Sequence, residues 1–476
     1  MRNTLVIATF LALLNMSNTS VGQGLELNEV IDQVKQYHPV IRQAGLQVES
    51  GRLKITKERG DFDPELFGSI DHKDFQGTEY FKQSEAGVKI PTLTGVELSS
   101  SYSTNRGSLL NPEMYTPGGG LVSGGIKIPL GSGLFTDEDR ASLKKAKVYA
   151  NATELQRRVM INDILYEALQ QYFKWAEAHN QFDVYDYSVV LARDRFAAVK
   201  RSYELGDLPA IDTLESYIQL QNRTLLRAEY ELKFIRETRK LSNYLWGDSL
   251  IPLQLADSVI PADLELVVLK APVAPQQVRS FEQNIAELHP EIQKYDLNEE
   301  QLLIDRKLHV EYLKPQLDVK YNLLNEPIDG DPFTGLNPNN YKWGLDFAFP
   351  LYLTKARSSV NLTDISIQDN TLEQASKTLS LQNKIIQNWR AQNILLEQID
   401  NYRDAVRNYD RLLQAERQKF DAGESSLFLI NSRENMLFTA RLKLIELLSS
   451  YNTARYGIYW SAGVLGDDTW SDQLWD

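Results

Sequence analysis

The chain has 476 residues, 42% of them apolar, with 51 basic against 64 acidic side chains, a net charge of −13 and no cysteine. The acidic balance argues against a nucleic-acid partner, which calls for a basic face. The absence of cysteine excludes disulfides, thiolate metal sites and cysteine nucleophiles.

In residues 1–22, Arg2 precedes an apolar run from Leu5 to Leu14, and small residues at Ser20 and Gly22 come after it. This pattern predicts a secretory signal peptide cleaved near Gly22 rather than a membrane anchor. No cysteine comes next, so no lipid-anchored N-terminus is expected. Beyond residue 22 no apolar run approaches the roughly 20 residues of a membrane helix. A mature chain that spans a membrane must then do so as a β-barrel.

The chain repeats itself. Tyr37-His38-Pro39-Val40-Ile41 recurs as Leu288-His289-Pro290-Glu291-Ile292, and Pro64 recurs as Pro315 at the same offset of 251. Pro129 in IKIPL matches Pro350 in FAFPL, and Gly206 in RSYELGDLPAID matches Gly423 in FDAGESS at an offset of 217. Two copies of one unit therefore fill the mature chain. In the first copy we expect proximal helices over 23–63, strands over 64–130 and a long helical hairpin over 131–246. A proline-bearing linker over 247–275 packs beside the helices. The second copy has proximal helices over 276–313, strands over 314–352 and a hairpin over 353–460, with a tail at 461–476.

Between the paired prolines the period is two. Trp343, Leu345, Phe347 and Phe349 alternate with Gly344, Asp346 and Ala348, and Leu317, Val319, Tyr321 and Leu323 with Asp318, Lys320 and Asn322. Strands with one apolar, aromatic face and one polar face suit a transmembrane barrel with a wet lumen. The alternative is one sheet of a soluble sandwich. The pattern predicts two strands in the second copy and two to four in the first, with a turn at Thr92-Leu93-Thr94-Gly95 and exposed loops at 105–120 and 325–340. So few strands cannot close a barrel, and an open edge cannot face lipid, so other protomers must complete it.

From Thr136 to Leu205 there is no proline and no interior glycine, enough for about 100 Å of helix. Thr136 is placed to cap it, ahead of Asp137, Glu138 and Asp139. Apolar residues step by four and three through Ile161, Leu165, Ala168, Tyr172, Trp175, His179 and Phe182. After one short step the seam continues through Tyr185, Val189, Ala192, Phe196, Val199 and Tyr203. This is a coiled-coil seam with a stammer. The second copy repeats the stammer between Ile399 and Tyr402 and fails at Gln392 and Glu416. Each long helix ends at its glycine. The return seams are Leu214, Ile218, Leu225, Ala228, Leu232 and Ile235, and Leu437, Ala440, Leu444, Leu447, Tyr451 and Ala454.

No motif for catalysis or metal binding appears, and no cofactor is expected. His38-Pro39 and His289-Pro290 are read as a structural bend motif, His179 as a core histidine, and Gly131-Ser132-Gly133 as a strand-to-helix turn. An enzyme is not expected.

On the duplicated His-Pro, the strands between proximal and long helices, and the tips Tyr203-Glu204-Leu205-Gly206 and Phe420-Asp421-Ala422-Gly423, the chain resembles the TolC family of outer-membrane efflux channels. The resemblance implies an α+β membrane protein: a duplicated unit whose long antiparallel hairpins form a coiled-coil tunnel in the periplasm. Its strands contribute to a β-barrel shared by a homotrimer in outer-membrane lipid. It implies a passive exit duct for small molecules, coupled to a periplasmic adaptor and an inner-membrane RND or ABC pump. Docking and gating fall to Tyr203, Gly206, Asp207, Phe420, Gly423, Glu424 and Ser425. The family's acidic entrance residues match Asp212 and Glu215, whereas the second copy has Leu429 and Ser432 there, and Ser425 replaces a basic latch residue. The duct of a type I protein or peptide secretion system is the alternative within transport. A secreted coiled-coil scaffold is the alternative outside it.

Overall fold

The structure is a computed structural model that describes residues 24–467 other than 257, 263, 265–270, 330 and 332. The expected signal peptide and the end of the expected tail lie outside these residues. The described residues fall into two compact units, one within the stretches Met1–Ala44, Arg157–Pro290 and Thr378–Asp476, the other within Gly45–Gln156 and Glu291–Lys377.

The second of these units carries one antiparallel six-stranded sheet in chain order. Its strands are β1 (Glu65–Phe75), β2 (Thr78–Pro91), β3 (Glu97–Arg106), β4 (Leu121–Pro129), β5 (Gln316–Asn325) and β6 (Tyr341–Ala348). Four come from the first repeat and two from the second. Gln76 and Gly77 both have positive φ, 52° and 73°. That is the two-residue turn whose twist matches a hairpin, and it joins β1 to β2. The expected turn at Thr92–Gly95 joins β2 to β3, with the Thr92 N–H on the Val96 carbonyl at 3.0 Å.

Every strand alternates, and the ladder keeps like with like. Val88 pairs Leu66, Leu98 pairs Ile126, and Tyr321 pairs both Ile126 and Trp343. Glu65 pairs Lys89 and Glu97 pairs Lys127 on the other face. That polar face is tied by ion pairs, Lys127 to Asp318 at 3.5 Å and Lys320 to Asp346 at 2.5 Å. The apolar face is bare: Leu66, Ile70, Trp343 and Phe347 are all exposed.

The stretch after β4 turns sharply. A Cβ on Gly131 would sit 2.0 Å from the Pro315 carbonyl oxygen, so the backbone passes too close to β5 for any other residue. The first long helix then starts at Glu138, not at Thr136. Its cap is Asp137, whose Oδ1 accepts the Arg140 N–H at 2.9 Å and whose Oδ2 pairs the Arg140 guanidinium. Asp137 wins because Arg140, three residues on, holds its carboxylate in place, while Thr136 is buried.

The long helices are α3 (Glu138–Leu205) and, in the second repeat, α8 (Thr354–Asp421), each 68 residues. Between them in chain order come α4 (Ala210–Ser242), α5 (Pro275–Gln283), α6 (Ile285–Leu288) and α7 (Pro290–Glu311). After α8 comes α9 (Leu427–Ala462). Helices of Leu27–Tyr37 and Pro39–Arg59, α1 and α2, precede the sheet.

In the helical unit the seam of α3 is the core. Leu165, Ala168, Tyr172, Trp175, Tyr185, Val189, Ala192 and Val199 are buried. The two positions at which the second seam breaks pattern also point inward. Gln392 is fully buried and its Oε1 accepts the Val273 N–H at 3.1 Å, which ties the linker to α8. Glu416 is buried against Ser425 and Arg433.

The return seams part company. In α9, Leu437, Ala440, Leu444, Leu447, Tyr451 and Ala454 are buried as expected. In α4 the expected seam faces outward: Leu214, Ile218, Leu225, Leu232 and Ile235 are exposed, Leu225 at 69%. Rings decide this. α4 turns Tyr217, Tyr230 and Phe234 toward α3, where Tyr217 meets Phe196, Tyr230 stacks on Tyr185 at 4.5 Å, and Phe234 meets Phe182 and His179. Large rings bury more area than the aliphatic stripe and add geometry-specific contacts. His179 is a packed core histidine, with burial holding its pKa down against the pull of Asp183.

Candidate functional site: two glycine tips and a charged clasp

Both long helices end in the same motif. Gly206 and Gly423 have φ of 86° and 76°. The Gly206 N–H bonds the Tyr203 carbonyl and the Asp207 N–H reaches back to Ser202; Gly423 to Phe420 and Glu424 to Lys419 repeat this. The pair of bonds, from C′ to C2 and from C″ to C3, is a Schellman motif, which satisfies the last orphan carbonyls. The aromatic three residues before each glycine is thus the C2 residue, whose carbonyl closes the cap. A Cβ on either glycine meets nothing within 4 Å, so only the backbone angle demands glycine.

Past the glycine the two tips differ. At the second, the Ser426 hydroxyl caps α9 by accepting from the Leu429 N–H, and Ser425 Oγ donates to Glu416 at 2.6 Å. The Ser425 hydroxyl, then Arg433, holds the Glu416 carboxyl below its ordinary range. Phe420 packs against a cluster of Leu413, Ile430 and Leu437. At the first tip Tyr203 is exposed, and Pro209 opens α4 without a side-chain cap.

The expected entrance acids are half-buried on α4. Glu215 accepts the Asn431 amide of α9 at 3.1 Å. It lines a groove of 540 Å³ with Tyr402, Tyr409, Asn431 and Ser432. Glu215 and Ser432, the residues at matching distance from the two glycines, therefore meet in one place. Asp212 lies one turn nearer the tip.

Above the tips sits a clasp that sequence reasoning missed. Glu434 on α9 is 5% exposed at its side chain and is held by Arg195 of α3 and Arg417 of α8. Arg195 also donates to Asn431 at 2.9 Å, and Arg223 of α4 bonds Asn435 and lies over Phe438. All four long helices meet here. Burial pushes the Glu434 carboxyl up, but Arg195 and then Arg417 outweigh it and hold it below its ordinary range. The internal repeat could not reveal the clasp, because 217 positions away Tyr217 stands for Glu434 and Leu412 for Arg195, and only Arg417 has a like counterpart, Lys200. A signal existed: Glu434 falls on the seam of α9, four residues after Ile430 and three before Leu437.

His38-Pro39 and His289-Pro290 lie at helix breaks. Each histidine has extended backbone, at the end of α1 and of α6, and each proline opens the next helix. His38 Nδ1 accepts the Val40 N–H at 3.2 Å, and burial lowers its pKa. Against the second pair lies Gly463, where a Cβ would meet Pro290 Cδ at 2.8 Å. Among the described residues no cluster of metal-ligating side chains occurs, and no helix is long and apolar enough to cross a membrane.

Comparison with known proteins places this geometry. Residues 283–464, the second repeat from before its His-Pro to the end of α9, match the outer membrane efflux protein family. No curated protein matches the chain. Solved structures do: the CmeC outer membrane channel of Campylobacter jejuni (12% identity, 94% of this chain and 90% of that one, TM-score 0.64). The open state of the MtrE outer membrane channel of Neisseria gonorrhoeae aligns with TM-score 0.66 (13% identity, 94% of each chain). The outer membrane protein VceC of Vibrio cholerae aligns with TM-score 0.64 (11% identity, 92% of this chain and 96% of that one). The resemblance carried by the tips and the duplicated His-Pro is borne out: the second repeat matches the outer membrane efflux protein family, and the chain shares the fold of solved outer-membrane channels.

Proposed function

We propose that the protein is the exit duct of an efflux assembly. Three copies share one barrel in the outer membrane, and their helices form a tunnel in the periplasm. An adaptor and an inner-membrane RND or ABC pump dock at the tips and deliver small molecules to a passive channel. The observation that carries this reading is the sheet. Among the described residues six strands expose apolar side chains on one face and polar ones on the other, and end in two unpaired edges. Such a sheet suits lipid outside and water inside only when further copies close it.

The exposed stripe on α4 supports the same reading. Leu214, Ile218, Leu225, Ala228, Leu232 and Ile235 keep a three-four spacing, the seam of a coiled coil with no partner among the described residues. In this reading Tyr203, Gly206, Asp207, Phe420, Gly423, Glu424 and Ser425 form the docking and gating rim, and Asp212 and Glu215 face the entrance.

The test is the mass of the detergent-solubilised protein, with and without Leu225→Asp and Leu232→Asp together. The wild type should run as three protomers. Both positions are solvent-exposed in the single chain, so the variant should keep its helix content and lose the trimer. A monomeric wild type overturns the proposal.

A further inference from the structure

From the pairing of the strands we infer how neighbouring copies join: β6 of one copy pairs with β1 of the next in one register, with Lys342 opposite Asp71. This rests on the trimeric-barrel reading and specifies a seam that the reading leaves open.

The ladder fixes how far the sheet slips along its own length. Traced straight across from Glu65, at the start of β1, the partners are Lys89, Ser99, Gly125, Asn322 and Lys342. β6 ends at Ala348, six residues further on. β1 begins, and β6 ends, at the side of the sheet from which the chain runs to helices. Closing the sheet with those ends level requires a six-residue slip per copy, one residue per strand. At about 3.4 Å per residue and 4.8 Å between strands that is a tilt of about 35°, within the range of membrane barrels.

The slip must be even, because an odd one would turn apolar side chains into the lumen. Charge selects among the even values. A slip of six sets the eight residues of β6 against Glu65–His72. Trp343 then faces Ile70 and Phe347 faces Leu66 on the apolar side, and Lys342 faces Asp71 on the polar side. The shift in the β1 ladder between Lys73 and Asp74 falls just outside this segment. A slip of eight puts Lys342 against Lys73, and a slip of four puts Asp346 against Glu65. Within the sheet Lys127 does face Lys320 and Asp318 faces Asp346, each offset by the Lys127–Asp318 and Lys320–Asp346 ion pairs; of the three slips only six sets opposite charges directly opposite, the pairing that favours a strand pair. Three copies of a six-stranded sheet close into eighteen strands with no free edge.

The absence of native cysteine makes the seam directly readable. Lys342→Cys and Asp71→Cys are placed together in the full-length chain, and outer membranes are treated with a thiol-to-thiol crosslinker of about 5 Å reach. Directly opposed residues lie within that reach and diagonal neighbours about 7–8 Å apart. Covalent dimers and trimers should form at least about tenfold more than with Lys342→Cys and Lys73→Cys. Equal or greater yield from the second pair overturns the register. The pair Trp343→Cys and Ile70→Cys repeats the test from the lipid side and spares the lumenal charges. No crosslink from either predicted pair, in protein that still has the mass of three protomers, overturns the seam and leaves the proposed function standing. A monomeric mass in detergent instead overturns that function and the seam with it.

Discussion

Arg195 pairs both carboxylate oxygens of Glu434, joining the long helix of the first repeat to the return helix of the second. The Nη1 contact is 2.8 Å, and both side chains are largely buried. Arg417 adds a second guanidinium at 2.9 Å from α8. A planar fork on a planar carboxylate fixes orientation as well as distance, so the two hairpins are held in one arrangement.

Removing the acid alone leaves two guanidinium groups without their shared partner. Glu434→Ala should destabilise the helical unit by about 3–5 kcal/mol, the usual cost of breaking a buried pair on one side. The sign with pH is fixed by the depressed carboxyl. Its stabilisation is fully present above the unfolded value of about 4.3 and is lost as pH falls through the lower folded value. Thermal melts of wild type and Glu434→Gln should therefore differ most near neutral pH and converge below the ordinary carboxylate range. A gap that persisted unchanged into strong acid would show that Glu434 contributes packing and not charge.

The tips give a second test, because the three left-handed helix-end glycines have different surroundings. Gly206 and Gly423 have open space where a Cβ would go, whereas Gly463 has Pro290 and His289 there. Alanine at the tips meets only the backbone penalty of the left-handed region, about 1–2 kcal/mol. Asparagine, which tolerates that region better, should cost less. Alanine at Gly463 must in addition push Pro290 aside and should cost more than either. Hydrogen exchange of the amides at 206–207, 423–424 and 463–464 reads each cap separately. Equal loss of protection at all three would mean that space plays no part.

How far the sequence could be read depended on whether a feature was repeated. The tips, the two His-Pro breaks and the strand pairs stood out because each occurs twice at a fixed offset, and alternation marked the faces of the strands. The β1–β2 hairpin was harder: it has no second copy, and its turn, Gln76-Gly77, lacks the usual Asn-Gly signal. The outward stripe of α4 was misjudged for a physical reason. Periodicity says that Leu225 and Leu232 share a face, but not which neighbour that face meets. The rings at Tyr230 and Phe234 competed for the same inner side and won it. The clasp was obscured for the opposite reason, since charged residues on a helix are ordinarily solvated. Only the seam position of Glu434 marks it as buried.

Asp212 and Glu215, proposed to face the tunnel entrance, supply the last prediction. Glu215 does two things in the single chain: it accepts the Asn431 amide and lines the groove beside Ser432. Asp212 has the same half-burial one turn away. Asp212→Asn with Glu215→Gln removes two charges from each copy and keeps shape and hydrogen-bonding capacity. Six fewer negative charges in a trimer should lower cation selectivity and weaken block by multivalent cations, most at low salt, where the Debye length is about 30 Å rather than 8 Å. Glu215→Ala alone should in addition free Asn431 and loosen α4 from α9, visible as faster amide exchange around 431. Single-channel recordings at two ionic strengths separate these effects. Unchanged selectivity and block at low salt would place both acids away from the ion path and limit Glu215 to holding the helices together.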